Sequence, residues 1–213
     1  MKRITFAIVL FIFTSVAFAQ DDYKKAEFFA GYSLGQIDRG TDSDIPVAPL
    51  FFDLEKDNKP YHGVNVSGVY NVSRHVGLKA DFSVTFNRTD FSFQAPGGSF
   101  FAFETQNALY NFLGGVQIKN NGSRARFKPF VHAMAGIGRG RTNVKAFTCP
   151  TGVDCSNFTG GSETGLAGAF GGGLDIKLNS HVDLRLIQID YNPIKFDGGV
   201  QQNIRVGIGF VFK

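Results

Sequence analysis

The chain has 213 residues, with 22 Lys and Arg against 18 Asp and Glu, 24 Phe, 26 Gly and no Trp. That length suits one domain, and an excess of four positive charges is too small to argue for a nucleic-acid partner. Beyond the N-terminal leader no run approaches the ~18 consecutive apolar residues of a membrane helix. An exported chain of this kind is either soluble or a β-barrel, because only helices and closed barrels satisfy their backbone inside lipid.

The leader itself starts Met1-Lys2-Arg3, runs apolar from Ile4 to Phe18 and ends Ala17-Phe18-Ala19 before Gln20. A basic start, a short apolar run and an A-x-A site predict a secretory signal peptide over 1–19, cut between Ala19 and Gln20. It carries away two of the 22 basic residues, so the alkaline balance weakens further in the barrel domain expected over 20–213.

The first strand is expected near Ala26–Leu34, with Glu27, Phe29, Gly31 and Ser33 on one face and Phe28, Ala30 and Tyr32 on the other. A long, acidic-leaning loop (35–61) follows. From His62 to Phe86 two alternating runs flank a polar turn at Ser73-Arg74-His75. Val76, Leu78, Ala80, Phe82, Val84 and Phe86 share one face, while Lys79, Asp81, Ser83 and Thr85 share the other. Period-2 alternation of this length is β-strand with two chemically distinct sides. The apolar side is as long as the ~9–11 residues that cross a bilayer.

Residues 88–103 read as a second, aromatic-rich loop, and strand 4 as Gln106–Lys119, turning at Asn120-Asn121-Gly122-Ser123. Strand 5, near Phe127–Gly138, opens with the awkward Pro129, tolerable at a strand start, and points Lys128, Phe130, His132 and Met134 away from Val131, Ala133 and Ala135. A third loop (140–164) holds both cysteines. Strand 6 lies near Gly165–Leu178, and Asn179-Ser180 turns it into strand 7, near His181–Tyr191. There the phase slips at Ile187, and one extra residue, a β-bulge, would keep Gln188 and Asp190 on the side of Asp183 and Arg185. A fourth loop then leads to strand 8, which alternates Ile204, Val206, Ile208, Phe210 and Phe212 against Asn203, Arg205, Gly207 and Gly209.

The reading is all-β: an eight-stranded antiparallel up-and-down transmembrane β-barrel with short periplasmic turns and four longer extracellular loops. The chain resembles the outer-membrane β-barrel domain family, the small barrels of the outer-membrane protein A and protein X type. The resemblance rests on Glu27-Phe28-Phe29-Ala30-Gly31-Tyr32-Ser33 and on the closing run Gln202 to Phe212. It implies residence in the Gram-negative outer membrane, contact with its lipid, and handling by the barrel-assembly machinery, which reads a terminal aromatic. This chain ends Phe212-Lys213, one residue off that pattern.

Facing the strands inward collects lumen charges at Glu27, Lys79, Asp81, Lys119, Lys128, Asp175, Lys177, Asp183, Arg185, Asp190 and Arg205, with His132 among them. Eight strands leave an interior that side chains just fill, so these groups are expected to pair into a plug. The alternative is a narrow path for ions or small solutes. Cys149 and Cys155 close a short ring in an exported chain, which reads as a disulfide. None of His62, His75, His132 and His181 stands in a motif marking a nucleophile, and no metal or cofactor set is apparent. The expected function is a structural or surface-interaction barrel, for adhesion or envelope integrity, without catalysis and with any host or extracellular ligand bound by the loops. A soluble ligand-binding barrel is the less favoured alternative, and Lys79 and Asp81 decide it: they would face outward there.

Overall fold

The structure is a computed structural model, and it describes residues 23–37, 60–94, 100–122, 125–148 and 160–213. The leader and both cysteines lie outside these residues. Eight strands follow one another: β1 (Ala26–Ile37), β2 (Tyr61–Asn71), β3 (Val76–Gln94), β4 (Phe100–Lys119), β5 (Phe127–Thr148), β6 (Gly161–Lys177), β7 (Val182–Phe196) and β8 (Gly199–Phe212). Each pairs antiparallel with the next, and β1 pairs with β8 from Phe28↔Phe212 to Ile37↔Asn203, closing the barrel. Closure leaves no sheet edge within the apolar band, which is what lipid demands of a spanning sheet.

Alternation decides the two faces as the pattern predicts. Phe28, Leu78, Phe82, Phe112, Val131, Ile137, Phe170 and Ile208 are exposed on the outside, whereas Glu27, Lys79, Asp81, Lys119 and Arg205 are buried inside. That inversion of a soluble core is a membrane barrel's arrangement, and it removes the soluble-barrel alternative. The phase slip in β7 is a bulge: Leu174 pairs with Ile187 and Asp175 with Arg185, leaving Leu186 without a rung. Leu186 and Ile187 both face outward, and Gln188 and Asp190 return to the lumen.

The strands run further than their apolar stretches. β3, β4 and β5 hold 19, 20 and 22 residues, about twice what a bilayer needs. Residues 88–94 and 100–103, expected in a loop, continue the β3–β4 ladder to Gln94↔Phe100. Residues 140–148 likewise extend β5 to Thr148↔Ala102, across an irregularity at Glu104/Thr105. Beyond the bilayer no lipid selects apolar residues for the outer face, so the sequence there loses its apolar period while the backbone ladder still satisfies itself. The fourth connection is no long loop either. β7 and β8 meet at Phe196↔Gly199 around Asp197-Gly198, and Gly199, at φ +134°, adopts a backbone that side chains disfavour.

Pro193 therefore lies inside β7 and not in a connection. It has no N–H to give, and the β6–β7 ladder skips from Ala167↔Ile194 to Phe170↔Tyr191 around it. Asn192 Nδ2 repairs the gap by donating to the Gly168 carbonyl at 2.5 Å. At the other end of the barrel, the β4–β5 connection is longer than a four-residue turn, with β5 beginning only at Phe127. Asn121 and Gly122 are buried there. Asn121 donates through its N–H to the Arg74 carbonyl (3.1 Å) and through Nδ2 to Asn71 Oδ1 (2.9 Å).

Candidate functional site

The lumen is the most densely built part of the molecule. Five acids (Glu27, Asp81, Asp175, Asp183, Asp190) and five bases (Lys79, Lys119, Lys128, Arg185, Arg205) are buried in it among the described residues. Equal numbers matter, because an unpaired charge away from water costs several kcal/mol. Lys177, also expected inside, is only half-buried, opposite Asp183 at the end of β6.

A connected chain of contacts crosses the barrel. Lys119 pairs with Glu27 and, at 3.1 Å, with Asp175. Arg185 grips Asp175 with two donors, Nε to Oδ1 at 2.8 Å and Nη2 to Oδ2 at 3.1 Å, and gives Nη1 to Gln188 Oε1 at 2.7 Å. Gln188 Nε2 donates to Asp190 Oδ2 (2.7 Å). Arg205 then bridges two strands, reaching Asp190 Oδ2 at 2.7 Å through Nη2 and Asp81 Oδ1 at 2.8 Å through Nη1. Asn65 Nδ2 donates to Asp81 Oδ2 (3.0 Å). The charges sit where β1, β3, β4, β6, β7 and β8 bring alternate residues inward, so the network ties together strands far apart in sequence.

Arg185 also closes the lumen sterically. Its guanidinium lies 4.4 Å from the Phe29 ring centroid and 4.1 Å from that of Phe130, a stacked cation worth up to about 2 kcal/mol when desolvated. Room for this sandwich comes from β6, whose inward positions are small. A Cβ at Gly173 would stand 2.9 Å from the Phe130 ring, and one at Gly171 2.3 Å from Asp190 Oδ1. Above it an apolar layer of Leu109, Leu113, Met134, Ala167, Ala169 and Ile194 covers the extracellular half.

Asp81 meets Arg205, whereas Lys79 meets His132, its Nζ 3.3 Å from Nδ1. His132 Nε2 in turn lies 2.9 Å from Asp190 Oδ1. Asp183 takes Lys128 at 3.4 Å and Lys213 at the periplasmic rim. His75 and His181 occupy periplasmic turns, and exposed His62 contacts Tyr32. Phe29, Phe130 and Gln188 were legible as inward residues but not as members of the network, since alternation gives a side and not a partner. No cluster of metal-ligating side chains exists among the described residues.

A closed eight-stranded barrel with an apolar exterior and an ion-paired interior belongs to one environment. The outer membrane protein beta-barrel domain family matches residues 6–212. The chain belongs to that family. It is an integral outer-membrane barrel. Two solved structures share its fold. Ail, the attachment invasion locus protein of Yersinia pestis, solved in complex with the heparin analogue sucrose octasulfate, is 15% identical, with 88% of this chain and 97% of that one covered at a TM-score of 0.52. Neisserial surface protein A is 13% identical, with coverage of 89% and 97% and a TM-score of 0.52. Among curated proteins no sequence match is found.

Outside the membrane, the barrel's mouth carries an open cleft of about 790 Å³ lined by Tyr61, Leu109 and Phe196 together with Asn107, Thr142 and Glu163. Its apolar floor is the top of the layer that seals the lumen. Among the described residues, the groups available to a soluble partner include those on this rim and on the extended strands.

Proposed function

We propose that this outer-membrane barrel is a sealed, non-catalytic anchor that presents an interaction surface to the cell exterior, for adhesion or envelope contacts. The observation that carries the reading is the plugged lumen. With Arg185 clamped between Phe29 and Phe130 and tied to Asp175, the interior is committed to holding the strands together, which leaves the extracellular end to meet partners. Strand extensions of β3 to β5 lift that end clear of the bilayer. Ail, of the same fold, was solved in complex with the heparin analogue sucrose octasulfate, which supports a ligand-binding role for a barrel of this kind.

The loop between Thr148 and Gly160 is the part of the surface expected to be ringed by a Cys149–Cys155 disulfide. Cells displaying the barrel are compared with cells whose residues 149–159 are replaced by a Gly-Ser linker. The proposal expects equal barrel insertion and a several-fold loss of attachment to heparin-coated or epithelial surfaces. Equal attachment by both would count against it.

A further inference from the structure

The outer wall changes character sharply where the apolar band ends on β3, β4 and β5. Backbone register sets three outward rows side by side: Val84–Tyr110–Arg139, then Phe86–Ala108–Arg141, then Arg88–Gln106–Asn143. Every outward position below them on these strands is apolar and exposed, including Leu78, Phe82, Phe112, Val131 and Ile137. The rows therefore sit at the height of the outer leaflet's headgroups. Ala108 is the small residue at the centre of this grid, and its missing bulk leaves an open cleft of about 470 Å³ on the lipid-facing side.

The lining of that hollow is two-sided. Phe86 and Tyr110 pack edge to face, 6.4 Å between centroids, and form its lower wall. Arg88 and Arg141 flank the upper part. Each is fixed by one contact through Nε, Arg88 to Glu104 at 2.9 Å and Arg141 to Asn143 Oδ1 at 3.2 Å. Fixing Nε leaves the terminal guanidinium donors for a second acceptor, and Arg suits the bidentate geometry of phosphate. Two acids, Glu104 and Asp90, face each other one outward row higher, so cationic character is confined to the level of the hollow. An aromatic floor below two guanidinium groups that line one hollow matches a lipid headgroup, with its sugar or glycerol against the rings and its phosphate reached by the arginines.

We infer that the hollow over Ala108 is a binding site for one phosphorylated lipid of the outer leaflet, with Arg88 and Arg141 holding its phosphate. The test is native mass spectrometry of the purified full chain with diphosphorylated lipid A, with the same lipid stripped of its phosphates, and with sucrose octasulfate as a soluble polyanion. Wild type retains about one lipid A per barrel and does not retain the stripped lipid. R88A/R141A lowers retention about tenfold, as expected for lost charge-assisted bonds. Ala108→Leu fills the hollow with both arginines in place and lowers it similarly. Heat-modifiable gel mobility confirms that each variant is folded. Equal retention of stripped lipid, unchanged retention in both variants, or loss of octasulfate binding alone with lipid A retained would each overturn the assignment.

Discussion

Replacing Arg185 by alanine probes the lumen network at its most connected point. The side chain is almost wholly buried, holds Asp175 with two bonds at 2.8 and 3.1 Å and gives a third to Gln188. Breaking a buried ion pair from one side costs about 3–5 kcal/mol, because the surviving charge stays in the interior. The lost stacking on Phe29 and Phe130 adds up to about 2 kcal/mol. Asp175 keeps Lys119 at 3.1 Å, which offsets part of the penalty, so we expect about 3–5 kcal/mol in all. The chain has no tryptophan, so unfolding in guanidinium is followed by far-UV circular dichroism and by heat-modifiable gel mobility in lipid vesicles. A double-mutant cycle with Asp175→Ala isolates the pair, with an expected coupling above about 1.5 kcal/mol, within the range for contacting residues. A loss below about 1 kcal/mol with no coupling would refute the reasoning, since surface ion pairs alone reach that size.

Three further outcomes follow from the same geometry. Deleting Leu186 removes the bulge yet keeps Arg185 and Gln188 inward, so the barrel still inserts; deleting Ile189 reverses the phase of every later inward residue of β7 and abolishes the heat-modifiable band. Asn192→Ala leaves the Gly168 carbonyl without its donor and lowers stability by about 1–3 kcal/mol, the cost of an unsatisfied buried acceptor; guanidinium midpoints that match wild type would contradict the repair at Pro193. In a background where both native cysteines are serine, a water-soluble maleimide leaves Asp81→Cys unlabelled in the folded protein while a lipid-soluble one labels Phe82→Cys. The reverse pattern would turn the barrel inside out.

Much of this architecture is written in alternation. Membrane and lumen impose opposite chemistries on successive residues, so Leu78, Lys79, Ala80, Asp81 and Phe82 announce both faces at once, and even the bulge at Leu186 is legible as a slip of phase. Where lipid no longer bathes the outer face that contrast vanishes. The extensions through Gln94, Phe100 and Thr148 continue the backbone ladder and left no apolar period to read. Pro193 hid a strand in a different way, because its missing donor is made good by Asn192, a side chain with no local signal. The Asp197-Gly198 turn was a readable hairpin sign, obscured by reading the whole fourth connection as a long loop.

The lumen's members were legible and its wiring was not. Which acid meets which base depends on stagger around the closed barrel: Arg205 reaches Asp81, 124 positions away in the chain. The hollow over Ala108 lies further still from the sequence, since three adjacent strands must be registered before one alanine is seen to sit among larger neighbours.

The claim that this interior is a plug is tested most directly by single-channel recording of the purified, refolded protein in planar lipid bilayers at neutral pH and high salt. The account predicts a quiet membrane for wild type, and also for Arg185→Ala, because the apolar layer of Leu109, Leu113, Met134 and Ile194 still closes the extracellular half. Reproducible steps from the wild-type protein would contradict it.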